Sequence, residues 1–202
     1  MLKIGLLGEG SFGLKIKEKL ENKFNLIWIA DSNVDFKTLE KPHWVFIATP
    51  NIFHFEQAKF FLENGVNVFL EKPAVLNSEA LKELIKLSDV NESLLYISDI
   101  YRFKQELFKD KDNNSFAWSK SSSADQSSIL DRFAYHHLSV IYNSFAIENP
   151  TYSISDISYE SIKNLCFSLN IEGESFTFKY LIDNNITSQN IIFGKVHAND
   201  NS

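Results

Sequence analysis

Residues 1–31 read MLKIGLLGEGSFGLKIKEKLENKFNLIWIAD, and the order of features along them decides the fold. Leu2–Leu7 is a short, mainly apolar run without regular alternation, which predicts a buried strand. It runs straight into GEGSFG, where Gly8, Gly10 and Gly13 stand in the spacing G-x-G-x-x-G. Phe12, Ile16 and Leu20 then recur at helical spacing, and Phe24 continues the stripe. A second apolar run, Leu26–Ala30, closes on Asp31. Strand, glycine turn, helix, strand and acid in that order carry a mechanism. Gly8 suits a tight turn, Gly10 lets backbone amides approach a pyrophosphate, and Gly13 lets helix and strand pack closely. The helix start at Ser11, Phe12 and Gly13 offers its N–H groups to the phosphates. Asp31 lies roughly twenty residues beyond the first glycine, where a carboxylate can bond both ribose hydroxyls and repel a 2′-phosphate. That favours NAD over NADP. The bland alternative is a glycine-rich turn that binds nothing. Glu9 is unfavourable beside a pyrophosphate unless its side chain points away.

Further apolar runs follow at Trp44–Ala48, Val66–Leu70 and Leu94–Ile97. Phe55–Asn64 reads as a helix stopped by Gly65, and Asn77 reads as the cap of a helix reaching about Ser88. Its expected buried stripe is Leu81, Leu84 and Ile85. Unalternating strands, each followed by a helix, predict a parallel sheet covered on both faces, hence a doubly wound domain over residues 1–99.

Composition narrows the class. The 202 residues are 44% hydrophobic and 23% charged, as in an ordinary globular chain with enough bulk for a core. No apolar run has the length of a membrane span, and the N-terminus reads as strand and turn rather than signal peptide. One cysteine, Cys166, leaves no internal disulfide framework and makes the cytoplasm the expected compartment. The formal net charge is −6 and the arginines are Arg102 and Arg132 alone, which disfavours nucleic acid as a partner. No histidine–carboxylate cluster has metal-ligand spacing, so no metal is expected.

From Ala48 the chain reads ATPNIFHFEQAKFFLENGVNVFLEKP. With the glycine motif, Ala48-Thr49-Pro50-Asn51, His54, Ala58, Gly65, Val68 and Glu71-Lys72-Pro73 make this half resemble the Gfo/Idh/MocA family of oxidoreductases. The spacing between the two segments matches without a gap. The resemblance implies that Thr49-Pro50-Asn51 and Glu71-Lys72-Pro73 line a cofactor cleft at the ends of the third and fourth strands. It also implies that Lys72 sits beside nicotinamide and substrate. An ammonium there would stabilise the alkoxide that develops as an alcohol gives up hydride. The plain alternative for Lys72 is a surface lysine at a strand end. His54 reads as a residue at a helix start that fills space near the cofactor, a structural role ahead of a catalytic one.

After Phe103 the character changes. Phe116–Lys120 reads as a strand and Ile129–Phe145 as a helix, ILDRFAYHHLSVIYNSF. Leu165, Phe167, Leu169 and Ile171, then Phe176, Phe178 and Tyr180, alternate with polar residues across Glu172-Gly173-Glu174, predicting a β-hairpin with one apolar face. Tyr152–Ile157 and Gln189–Phe193 are expected as neighbouring strands, and the polar tail after Gly194 is expected to fray. Residues 100–202 thus form a reduced α+β domain with a mostly antiparallel sheet. The resemblance extends to the helix, where Ala134, His136, Leu138 and Ser139 match a pattern that makes His136 the substrate-site general base. Arg132 then stands where an aspartate is expected, with Asp131 one step away. His137 falls on another face, structural or solvated. Arg102, Asp131 and Arg132 are weaker candidates for substrate contact, each with a surface ion pair as the alternative.

These readings together predict an NAD-dependent dehydrogenase acting on a sugar hydroxyl, a nucleotide sugar among the candidates, with Lys72 and His136 as its catalytic pair. Stacking of the C-terminal sheet predicts a homodimer or larger assembly. The alternative is a non-catalytic dinucleotide- or sugar-binding regulator of the same fold.

Overall fold

The computed structural model describes residues 1–100, 115–120, 134–145, 152–161, 164–171, 174–182, 190–193 and 196–198. The chain divides into two compact units, Met1–Ser98 and Asp99–Ser202.

The first unit runs β1 (Lys3–Leu7), α1 (Ser11–Leu20), β2 (Asn25–Ala30), β3 (Trp44–Ile47), α2 (His54–Glu63), β4 (Asn67–Leu70), α3 (Ser78–Val90) and β5 (Leu95–Ile97). Its five strands are all parallel, in the order β2-β1-β3-β4-β5. The five apolar runs of the sequence are these five strands. The chain lays β2 on one side of β1 and then crosses to lay β3 on the other. In open α/β sheets, the crevice outside the strand ends at such a reversal is where ligands bind. The core packs Leu7, Val45, Ile47, Val68 and Leu70 of the sheet against Phe61, Leu62 and Leu84 of the helices, all fully buried. Burying a side chain of this size contributes about 1.5–3 kcal/mol.

Each helix turns one line of residues inward. In α2 the line is Ala58, Phe61 and Leu62, and Gly65 (φ +69°) follows the helix. In α3 the Asn77 side chain accepts the Ala80 N–H at 2.8 Å, the cap expected from the sequence. The buried line there is Leu84 and Ser88, with Leu81 half-buried, and Ile85 is 46% exposed. Ile85 was expected inside; it follows Leu84 by one residue, a turn of about 100° that carries it off the packed face. The same geometry corrects α1. Gly13 and Leu20 are its buried residues and Ile16 is half-buried, while Phe12 is 47% exposed. The first turn rests on the Gly8 turn through Gly13, so the neighbouring Phe12 lies on another face.

The second unit contains β6 (Ser115–Lys120), α4 (Tyr135–Phe145), β7 (Tyr152–Ser161), β8 (Asn164–Ile171), β9 (Glu174–Ile182), β10 (Asn190–Phe193) and β11 (Val196–Ala198). They form a six-stranded sheet in the order β11-β10-β6-β9-β8-β7. Every neighbouring pair is antiparallel except β6 and β9. The expected hairpin is β8–β9. Phe167, Leu169, Ile171, Phe176, Phe178 and Tyr180 are its buried side chains, as the alternation required. Phe167 and Phe178 stack at 4.6 Å between ring centroids. The tail corrects one expectation in part: Val196–Ala198 pairs antiparallel with β10, with Val196 and Ala198 as its apolar positions, while residues 199–202 lie outside the described residues. Of the helix expected from Ile129, residues 129–133 lie outside the described residues.

Candidate functional site

The carboxyl edge of the parallel sheet is tied together strand by strand. Gly8 N–H donates to Ala30 O at 2.8 Å and Ala48 N–H to Leu7 O at 2.7 Å. Glu71 N–H donates to Ile47 O at 3.0 Å and Ser98 N–H to Leu70 O at 2.8 Å. The glycine loop, Asp31, the Thr49 segment and the Glu71 segment therefore all begin from one edge.

The three motif glycines have three different reasons. Gly8 has φ +110°, and a Cβ there would lie 2.5 Å from Ala48 O, so turn and close approach both exclude a side chain. At Gly13 a Cβ would lie 1.8 Å from Gly8 O, which shows how closely α1 sits against the turn. At Gly10 a Cβ would meet nothing within 4 Å, and the backbone is extended. Nothing among the described residues crowds a side chain there, whereas a ligand lying against the backbone would. Gly10 is also the N-cap of α1 and provides no side-chain cap. Leu14 N–H makes the first helical bond, to Gly10 O at 3.0 Å. The amides of Ser11, Phe12 and Gly13 are those a helix leaves to outside acceptors. Glu9 is exposed. Asp31 is exposed just past β2, and its Oδ1 accepts the Asn33 N–H at 2.7 Å. The glycine loop and Asp31 thus fit a dinucleotide in shape and donor set.

Thr49 and Glu71 are buried, Asn51, Lys72 and Pro73 half-buried, and Pro50 exposed. The Thr49 hydroxyl donates to Gln57 Oε1 at 2.7 Å, a buried bond from the β3 end to α2. His54, the first residue of α2, is buried, with Nε2 at 2.8 Å from Thr49 O and Nδ1 at 3.0 Å from Pro73 O. Burial lowers its pKa and outweighs the carbonyls around it, which raise it. On the other side of the Lys72 segment, Lys72 N–H donates to Glu71 Oε2 at 3.3 Å and the Ser98 hydroxyl bonds the same carboxylate. Burial raises the Glu71 pKa, and those bonds together with the Lys72 charge partly offset it. Gln57 and Ser98 were not singled out from the sequence. They pair with residues 8 and 27 positions away, and neither lies in a motif.

His136 lies on α4, in the second unit, and is 5% exposed. His137 beside it is fully buried. Its Nδ1 lies 3.0 Å from the Tyr180 hydroxyl, with the ring planes within 9° of parallel. Burial pushes its pKa down to about 3 and that of Tyr180 up, so the pair is neutral. Of the two readings for His137, the solvated one is excluded. The Ser139 hydroxyl donates to Asp99 Oδ2. Arg102, Asp131 and Arg132 lie outside the described residues. No group of three or more potential metal ligands occurs among the described residues. No described helix is long and apolar enough to cross a membrane.

Comparison with known proteins agrees with this fold. Residues 4–98 match the family model GFO_IDH_MocA, described as an oxidoreductase family with an NAD-binding Rossmann fold. The chain is 29% identical over 120 residues to scyllo-inositol 2-dehydrogenase (NADP(+)) IolU of Bacillus subtilis, a match covering 56% of this chain and 35% of that protein. The chain thus spans about a third of the length of that curated relative. Among solved structures, UDP-N-acetylglucosamine 3-dehydrogenase GnnA of Acidithiobacillus ferrooxidans matches with TM-score 0.75 and 17% identity, over 98% of this chain and 76% of that one. The dehydrogenase MviM of Clostridium difficile matches with TM-score 0.74 and 18% identity, over 97% and 77%. At these identities the structural matches show a shared fold.

Proposed function

We propose, from the match of residues 4–98 to the NAD-binding Rossmann fold of the Gfo/Idh/MocA oxidoreductase family, that the protein is an NAD(P)-dependent dehydrogenase acting on a sugar or cyclitol hydroxyl. The observation that carries the reading is Gly10, where the described residues leave open space beside the backbone, at the strand-order reversal of the sheet. In this reading the amides of Ser11, Phe12 and Gly13 hold the pyrophosphate, and Asp31 meets the adenosine ribose. Thr49, Pro50, Asn51, Glu71 and Pro73 shape the nicotinamide end. When bound, the nicotinamide supplies the acceptor for a hydride leaving the alcohol carbon. The Lys72 ammonium lowers the cost of charge on the substrate oxygen, and His136 accepts the hydroxyl proton. Asp31 favours NAD; the relative IolU is named for NADP(+), so both coenzymes belong in the test. Inositols and nucleotide sugars are the first substrates to try, since relatives with those names share the family or the fold. A cytoplasmic homodimer joined through the C-terminal sheet completes the reading.

The test is turnover with either coenzyme across a panel of inositols, sugars and nucleotide sugars, read as NADH or NADPH formation. Lys72→Ala and His136→Ala are each expected to lower kcat by about 10²–10⁴. Undiminished turnover in both variants would refute the assignment of roles. Arg132, standing where the resemblance expects an aspartate, favours one second reading, a binding protein without turnover. Its signature is thermal stabilisation by coenzyme with no product from any member of the panel.

A further inference from the structure

The imidazole of His54 lies between two backbone carbonyls that belong to different loops. Nε2 is 2.8 Å from the oxygen of Thr49, in the segment after β3. Nδ1 is 3.0 Å from the oxygen of Pro73, in the segment after β4 that carries Lys72. The two loops are separated by more than twenty residues of chain, yet one side chain, 1% exposed, spans them. Carbonyls only accept hydrogen bonds, so a ring placed between two of them acts as donor to at least one. A hydrogen bond made at this burial is costly to lose.

From this geometry we infer that His54 is a positioning residue: it straps the Thr49-Pro50-Asn51 loop to the Lys72-Pro73 segment, so that the Lys72 amine keeps one place relative to the coenzyme. The inference rests on the proposed function, because it takes both segments to face a dinucleotide. It goes beyond that reading in giving His54 a task other than filling space. Glu71 and Ser98 hold the same segment from the β4–β5 side, through the Lys72 N–H and the Ser98 hydroxyl. The strap and this second hold act at different points, so removing His54 is expected to loosen the segment rather than unfold it.

The experiment compares full-length wild type, His54→Ala and His54→Gln, the last retaining one amide donor. Acetylation of the Lys72 amine by acetic anhydride is followed by peptide mass spectrometry, with and without saturating NADH or NADPH. Coenzyme affinity and the urea midpoint are measured in parallel. In wild type the coenzyme is expected to slow acetylation of Lys72 by about tenfold. In His54→Ala coenzyme still binds through the glycine loop, but protection falls severalfold, and His54→Gln restores part of it; one buried hydrogen bond shifts an equilibrium by roughly tenfold at most. Wild-type protection of Lys72 in a folded, coenzyme-bound His54→Ala overturns the strap. If wild type itself binds neither coenzyme, the dinucleotide reading fails and the strap falls with it. A measurement on wild type alone covers the case in which the variants do not fold. A slowly exchanging His54 Nδ1–H, the position facing Pro73 O, seen in ¹⁵N-histidine spectra, supports the strap, and rapid exchange at Nδ1 or a ring with no proton there overturns it.

Discussion

At Gly10 an added Cβ would lie in open space, with no heavy atom within 4 Å, and the backbone (φ −67°, ψ 176°) is open to any residue. Gly10→Ala is therefore nearly silent in the protein alone. Alanine is a poorer N-cap than glycine, and the cost of that exchange is under about 1 kcal/mol. A pyrophosphate resting on this backbone would meet the new methyl directly. Overpacking of a fitted contact costs about 1–3 kcal/mol, and each 1.4 kcal/mol is about tenfold in affinity. The expected result is a coenzyme Kd raised about tenfold or more by calorimetric titration, beside a nearly unchanged urea midpoint. Gly13→Ala is the contrasting perturbation. Its methyl would fall 1.8 Å from Gly8 O, a backbone atom that cannot swing aside. That variant loses stability, by about 1–3 kcal/mol or more, and binding only as a consequence. Undiminished coenzyme affinity in Gly10→Ala would refute the reasoning, because the residue would then be glycine for no reason connected with a ligand.

Asp31→Ser removes the carboxylate expected to repel a 2′-phosphate; the ratio of NADP to NAD affinity is expected to rise about tenfold, and an unchanged ratio would place the ribose elsewhere. His137 carries a pH prediction. Its folded pKa, about 3, lies below the ordinary histidine value of 6.5, so the unfolded chain binds the extra proton first. Stability falls as pH drops from 6.5 towards 3, by at most about 1.4 kcal/mol per pH unit from this one group. His54, also lowered by burial, acts in the same sense, and Glu71, whose pKa is raised, acts in the opposite one. The difference between wild type and His137→Gln isolates this histidine: as pH falls from 7 to 4 the urea midpoint should drop less steeply in the variant, and parallel curves would show that His137 is not held neutral. Light scattering at micromolar concentration checks the homodimer, for which a monomeric mass is the contrary result.

Much of the first unit was legible because its signals are local. Each strand is an apolar run bounded by a turn or an acid, and the glycine spacing lies within six residues. The hairpin β8–β9 was legible for the same reason, since period-two alternation needs no distant information. The misplacements of Phe12 and Ile85 arise one step further on. Periodicity identifies a stripe about 100° wide but not which edge of it meets the sheet; that was set by Gly13 against Gly8 and by Leu84 against the core. The pairing of Val196–Ala198 depended on a strand edge that composition does not reveal. The two carbonyl contacts of His54 were least accessible. A histidine at a helix start reads alike whether it fills space or joins two loops, because its partners are backbone oxygens whose side chains carry no signature.

The single parallel neighbour relation in the second sheet bears on the order in which that sheet assembles. β7, β8 and β9 follow one another as adjacent antiparallel strands, so each can dock on the last soon after it emerges. β6 pairs with β9 from roughly sixty residues upstream, and closing so long a loop costs entropy before any contact repays it. The three-stranded meander is thus the natural nucleus, and β6 waits for it. Weakening the β8–β9 hairpin should slow refolding of this unit, whereas weakening β6 should chiefly hasten its unfolding.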